Sequence, residues 1–396
     1  VYERTTATSV PRESGIATLR SMSQDAVHVA IDAGPLHGPR TGIGNAVAWT
    51  IDALNVAHAA PDAEPRVELS PYVTSMRARL DAGERRLPSP AAVAHRIWAR
   101  RPVPQLDRWL GRPDVVHGTN YVVPPTRAPR IVSVYDCWFL EHRDDAHPDV
   151  VRAGAVLRRS IADGAHVITS SAATTDRLTD LLDVAEVSTV HLGPPPYDEH
   201  ARRIAPALGD PDAPFVLALG TVERRKNLPT LVRAFARLAA EHPSVQLRIA
   251  GRDGDDSEAL AAALERLDVA TRRRVIRHTT VDEPVKRWLL ANAAVLAYPS
   301  LDEGFGFPIL EAQQAGTAVV ASSAGSIPEV AGRGALLSLP TDDHALAANL
   351  FWVIDSEDQR RALIARGRDN LARFSWERTA IALTAHYVRT AQAGAP

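Results

Sequence analysis

A single cysteine, Cys137, stands in a chain of 396 residues. No intrachain disulfide can form, which suits a reducing compartment. No apolar run reaches the ~20 residues a membrane-spanning helix needs, and no opening segment carries the apolar region of a secretory leader. The expectation is a cytoplasmic protein, at most resting on the inner face of a membrane. Lysine is nearly missing: among 45 basic residues only Lys226 and Lys286 are lysine. The net charge of −2 does not call for nucleic acid over the surface as a whole. His117, His142, His147 and His191 lack the spacing of metal ligands. No self-similarity of solenoid period is present.

What is present is alternation. Apolar content of 45% supports full cores, and the length exceeds one typical domain. Short apolar runs alternate with helical patterns, the signature of parallel sheets with crossover helices. Expected strands in the first half are Val27–Asp32, Arg66–Ser70, Asp114–His117, Arg130–Tyr135, His166–Thr169 and Val187–His191. In the second half they are Phe215–Leu219, Gln246–Ala250, Arg274–Arg277, Ala294–Tyr298, Ala318–Ala321 and Ala335–Ser338. Expected helices include Gly44–His58, Val150–Asp163, Ala172–Leu182 and Leu228–Ala240, with three more starting at Asp342, Glu357 and Trp376. A proline-rich stretch from Gly193 to Pro214 reads as a linker. The reading is an α/β chain with a mobile segment 1–25, one Rossmann-like domain over 26–195 and a second over 212–374.

Ligands of such sheets bind outside the carboxyl ends of the strands. Four loops of the second half, at Gly220, Gly251, Pro299–Glu303 and Ser322–Gly325, therefore converge on one edge. One of them runs Tyr298-Pro-Ser-Leu-Asp-Glu303-Gly-Phe-Gly306-Phe-Pro308-Ile-Leu-Glu311. Pro308 fits the first turn of a helix, where its missing N–H costs nothing. A strand, a glycine loop and a helix N-terminus make a ready cradle for phosphate, and Glu303 and Glu311 flank it. The other segment runs Gly220-Thr221-Val-Glu223-Arg224-Arg225-Lys226-Asn227. Arginine can grip phosphate with two parallel hydrogen bonds, and lysine adds a compact charge.

Together these segments resemble the retaining family-four glycosyltransferases built from two Rossmann-like domains. The resemblance rests on Glu303 through Glu311 with Gly-Phe-Gly after the first glutamate, and on Arg225-Lys226-Asn227 after Gly220-Thr221. It extends to Gly325-Ser-Ile-Pro-Glu329, Ser375-Trp-Glu377, Gly38-Pro-Arg-Thr-Gly-Ile-Gly44 and Asp114-Val-Val-His-Gly-Thr-Asn120. It implies two domains facing across a cleft, with a carboxyl-terminal helix, 375–396, crossing back to the first. It implies a nucleotide-diphosphate sugar as substrate, with no cofactor or metal, and transfer to a hydroxyl of a glycan, a lipid-linked acceptor or a small molecule. Arg225 and Lys226 would bind the diphosphate, with the amides of Gly304, Phe305 and Gly306 beside them. Glu303 would hold sugar hydroxyls and Glu311 the ribose. Gly42 and Gly44 would approach the phosphates from the first domain. The Gly-Thr-x-Glu-x-Arg-Lys-Asn pattern is similar to that of bacterial mannosyltransferases, which makes GDP-mannose the leading donor, glucose-type donors remaining open.

Departures from the family pattern carry weight. Tyr135-Asp136 stands where many members have His-Asp, and the tyrosine can hydrogen-bond but cannot become cationic. Asp136 is either catalytic or the cap of the following turn. Asp253-Gly-Asp255 mimics a manganese motif of other glycosyltransferases, but an acidic loop before a helix is the reading taken. Residues 76–112 hold nine arginines, three acids, Trp98 and Trp109. They form either a solvated insertion or a contact with anionic lipid. A non-catalytic nucleotide-sugar-binding subunit and a two-domain sugar-nucleotide epimerase are the competing functions.

Overall fold

The structure is a computed structural model that describes residues 26–38, 41–60, 64–144, 146–184, 186–197 and 213–394. The segment 1–25, residues 198–212 of the linker and Pro39-Arg40 of the glycine loop lie outside the described residues.

Two sheets organise the chain. The first holds β1 (Val27–Asp32), β2 (Val67–Val73), β3 (Arg85–Arg86), β4 (Val115–Gly118), β5 (Arg130–Val134), β6 (His166–Thr169) and β7 (Val187–Thr189). The second holds β8 (Phe215–Leu219), β9 (Gln246–Ala250), β10 (Val275–His278), β11 (Val295–Tyr298), β12 (Ala318–Ser322) and β13 (Leu336–Ser338). Every pairing is parallel. The orders are β3-β2-β1-β4-β5-β6-β7 and β10-β9-β8-β11-β12-β13. Each reverses direction beside its first strand, the point where open sheets of this kind form a crevice.

Helices cover both faces, so most strands bury residues on both faces rather than at every second position. In β8, Val216 and Ala218 pack into one cluster and Phe215 and Leu217 into the other, because successive side chains leave opposite faces. In β1, Val29 and Ile31 face one cluster and Ala30 the other. The helix Trp376–Ala393 returns to the first sheet, as the resemblance implied. Ser375 caps it, Tyr387 Oη lies 2.7 Å from His117 Nδ1, and Thr379 Oγ1 donates to the His191 carbonyl at 2.8 Å.

Two expectations change. The first helix begins at Gly42, not Gly44, because Thr41 accepts from the Gly44 amide and caps it. The segment 76–112 is no bare insertion: it supplies β3 and the helix Ala91–Trp98. Leu87, Trp98, Leu106 and Leu110 are buried in the first domain's core. Its arginines nevertheless face outward, all but Arg86 being exposed, and Val93, Ile97 and Trp109 lie exposed among them.

Candidate active site

The loops after β8, β9, β11 and β12 meet at one edge of the second sheet. Close packing of loop on loop selects glycine there. A Cβ on Gly251 would stand 2.0 Å from the Gly220 carbonyl, and one on Gly254 2.6 Å from that of Val222. Asn227, in the left-handed region at φ 54°, donates to the carbonyls of Pro299 and Pro340 at 3.0 and 2.7 Å. Leu301 N donates to Arg225 O at 2.7 Å. The turn that carries Arg225 and Lys226 is thus sewn to the loop that carries Glu303.

Glu303 is the centre of the site. Its Oε1 accepts from Lys226 Nζ at 2.6 Å and its Oε2 from Arg225 Nη1 at 2.8 Å. It is only 7% exposed and Lys226 only 9%. Burial alone would raise the Glu303 carboxyl, but the two cations bring it down to about 2, so it is ionised at any working pH. Lys226 Nζ also donates to Tyr298 Oη at 2.9 Å, and Arg225 Nε pairs with Glu223 at 2.8 Å. Neither cation is exhausted, since both have further N–H groups. The cations expected to serve a diphosphate therefore also fix the carboxylate expected to serve the sugar.

Glu311 lies on the helix Phe307–Ala315 and makes a separate pair. Lys286 Nζ donates to its Oε1 at 2.7 Å and pairs with Glu283 at 2.9 Å. The two lysines of the chain thus sit on the two glutamates of the motif. The scarcity of lysine marked Lys286 in the sequence, but nothing local joined it to Glu311. Gly306 caps the helix at φ 92°, where an L side chain is strained, and Pro308 lies in the first turn.

From the other domain, Asp136 reaches this cluster. A Cβ on Gly304 would lie 1.6 Å from Tyr135 O and 2.9 Å from Asp136 Cβ. The Asp136 carboxyl is pushed up by burial and by Glu303, against the pull of Arg225 and of a hydrogen bond with Tyr121. Tyr121 holds φ 60°, a strained setting for a buried aromatic. Tyr135 meets the glycine loop with its carbonyl, which a Cβ on Gly304 would overlap, and its side chain packs against the cluster that holds Phe305. Phe305 is buried with Ala46, Leu310 and Phe374 in a cluster that spans both domains. Gly42 is exposed at its helix N-terminus, and Gly44 packs on Pro35, whose carbonyl a Cβ would approach to 2.7 Å. Thr221 Oγ1 accepts from Arg252 at 3.4 Å beside Gly220, which holds φ 136°.

A cavity of about 280 Å³ opens beside Glu303, between Cys137 and Thr174 of the first domain and Asp302, Gly304 and Gly325 of the second. Asp253 and Asp255 are occupied elsewhere: Arg277 pairs with Asp253 at 2.9 Å, and Asp255 accepts from Arg224 N at 3.0 Å. Among the described residues, the grouping of His, Cys or acid ligands close enough for an ion is His37, Asp81 and Glu84, which excludes both aspartates. No helix among the described residues is long and apolar enough to cross a membrane.

Comparison with known proteins agrees with this geometry. Residues 202–370 match the family described as glycosyl transferases group 1. The O-antigen chain mannosyltransferase B of Escherichia coli is 30% identical over 377 residues, covering 87% of this chain and 94% of its own. The MMP alpha-(1->4)-mannosyltransferase of Mycolicibacterium hassiacum is 33% identical over 55% of this chain and 52% of its own. Among solved structures, a sucrose-phosphate synthase from Thermosynechococcus elongatus superposes with a TM-score of 0.70 at 18% identity, covering 93% of this chain and all, 100%, of its own. With two parallel sheets, a cleft between them and a relative matched along nearly its whole length, the chain belongs to the group 1 glycosyltransferases.

Proposed function

We propose that the protein is a retaining, metal-independent hexosyltransferase that moves mannose from GDP-mannose to an acceptor hydroxyl. The observation that carries this is the buried Glu303 carboxylate clamped between Lys226 and Arg225 at a glycine-lined helix N-terminus. The diphosphate lies against Arg225, Lys226 and the amides of Gly304 to Gly306, where charge growing on the leaving oxygen is stabilised. Glu303 accepts from the hexose hydroxyls and Glu311 from the ribose diol. The acceptor enters through the cavity beside Glu303 and attacks on the face the nucleotide leaves, its proton passing to the departing phosphate. A double displacement would need two carboxylates ~5 Å apart with one free as nucleophile. Glu303 and Glu311 are instead each locked to their own lysine.

Glu283 and Lys286, which adjoin Glu311, support guanine as the base. A carboxylate beside an ammonium complements guanine, whose N1–H and amino group donate next to the O6 acceptor. Uracil would set a carbonyl against the carboxylate. The names of the two mannosyltransferase relatives support mannose. The test is a titration of GDP and UDP in the presence of EDTA. GDP should bind at least about tenfold tighter, the order of one charge-assisted hydrogen bond, and the chelator should not matter. Preference for UDP would sink the base assignment, and loss of binding in EDTA the metal-free one. The exposed arginines, Val93, Ile97 and Trp109 of 76–112 support a lipid-linked acceptor met at an anionic membrane face. Co-sedimentation with anionic but not neutral vesicles checks that contact.

A further inference from the structure

Hydrogen bonds between the two domains converge on one carbonyl. Gly304 O, one residue beyond Glu303, accepts from Ser171 Oγ at 2.8 Å, Ser170 Oγ at 3.1 Å and Thr174 Oγ1 at 3.2 Å. These hydroxyl residues are 0%, 2% and 4% exposed respectively. They come from the first domain: Ser170 and Ser171 from the turn after β6, with Ser171 the N-cap of the helix Ala172–Leu181, and Thr174 from that helix's first turn. Thr174 N donates to Ser171 Oγ at 3.1 Å, so the cap and the interdomain contact share one side chain.

The turn is braced from the second domain as well. The Glu329 carboxylate accepts from Ala172 N at 2.9 Å and Ala173 N at 3.1 Å, and lies 2.5 Å from His191 Nε2. On the donor side, Glu303 O accepts from Ser326 N at 3.0 Å. The backbone at Glu303 and Gly304 is therefore gripped from both domains at once. Glycine is what allows the approach, since any Cβ at 304 would overlap Tyr135 O.

We propose that Ser171 and Thr174, assisted by Ser170, are positioning residues that set Glu303 for transfer only when the two domains are closed. This rests on the reading that Glu303 holds the transferred sugar. The nucleotide's charged ligands, Arg225, Lys226 and Glu311, all belong to the second domain, where Glu223, Tyr298 and Lys286 respectively hold them apart from this turn. Loss of the clamp leaves those charged ligands in place and frees the loop that presents Glu303. The cost falls on an interaction realised in the transition state, so it appears in kcat rather than in nucleotide affinity. A loosened cleft also admits water, which diverts donor from transfer to hydrolysis.

The test compares the parent protein with Ser171→Ala/Thr174→Val. Two neutral hydrogen bonds are lost, so kcat should fall on the order of thirtyfold. The GDP dissociation constant should stay within twofold, and hydrolysis should rise relative to transfer. Thr174→Ser and Ser171→Thr, which keep the hydroxyls, should retain the parent rate. Because Ser171→Ala also removes a helix cap, Ser170→Ala/Thr174→Val is measured beside it. That pair leaves the cap and should show the same split at smaller amplitude. Amide hydrogen exchange of residues 304–307 with GDP bound should speed up in both double variants, a readout that needs no turnover. Unchanged kcat and exchange overturn the clamp, as does a fall in GDP affinity that matches the fall in kcat. If the parent binds GDP but turns over no sugar, the transferase reading fails, while the exchange result still decides the clamp.

Discussion

Glu303→Gln should lower kcat by about two to three orders of magnitude, the range seen when one preorganised transition-state contact is removed, without weakening GDP. The shape of the side chain is kept and its charge is lost. Lys226 and Arg225, each now bonded to that carboxylate at 2.6 and 2.8 Å, are released toward the diphosphate, so GDP affinity should hold or rise. Stability should move the other way. Removing one partner of a buried ion pair leaves the other uncompensated, at a cost of roughly 3–5 kcal/mol, and Lys226 is 9% exposed. The unliganded variant should melt lower than the parent and recover much of the loss in GDP. The pH dependence has a definite sign. A carboxyl lowered from 4.5 to about 2 stabilises the fold fully above its unfolded value, and that contribution disappears as pH falls through the interval between them. The parent should therefore lose stability below about pH 4.5 partly through Glu303, and the glutamine variant should lose less there. Parent-like kcat in this variant removes Glu303 from the mechanism.

Lys226→Ala should be the other severe change, because it acts on both ligands of the site. Turnover should fall about a hundredfold or more, and here GDP should bind weaker as well. The ammonium bridges Glu303 Oε1 and Tyr298 Oη, and no neighbouring lysine can replace it, since Lys286 is committed to Glu311 and Glu283. Arginine at 226 should not rescue. A planar guanidinium does not reproduce the compact ammonium that reaches both Glu303 Oε1 and Tyr298 Oη at 2.6 and 2.9 Å. The contrast between the two variants is diagnostic: Glu303→Gln separates turnover from nucleotide binding, whereas Lys226→Ala lowers both. Calorimetry with GDP and initial-rate measurements on the same preparations distinguish them, and equal GDP affinity in Lys226→Ala and the parent would remove the diphosphate role.

Much of this fold is legible locally. β1, β6, β8 and β9 fall where the apolar runs place them to the residue, because a strand with both faces covered reads as a short, mostly apolar run. Glu303, Lys226 and Arg225 are legible for a related reason. They lie within a few residues of strand ends, where topology brings ligands. What stays hidden is tertiary. Lys286 meets Glu311 across 25 residues of sequence, and Ser171 meets Gly304 across 133, through packing that no periodicity encodes. β3 and the helix Ala91–Trp98 are masked by arginines, since only Leu87, Ala94 and Trp98 of that stretch turn inward.

The central claim is that this site transfers a hexose with retention, without a metal and through Glu303. Water can take the place of the acceptor, so no acceptor need be known. GDP-mannose is incubated with the protein in EDTA, and the first-formed anomer of free mannose is followed by proton NMR before mutarotation. The α-anomer of the donor should appear first as α-mannose, and the rate should fall in Glu303→Gln. Release of β-mannose first, or tight GDP-mannose binding with no turnover to water or any glycan offered, would contradict the account.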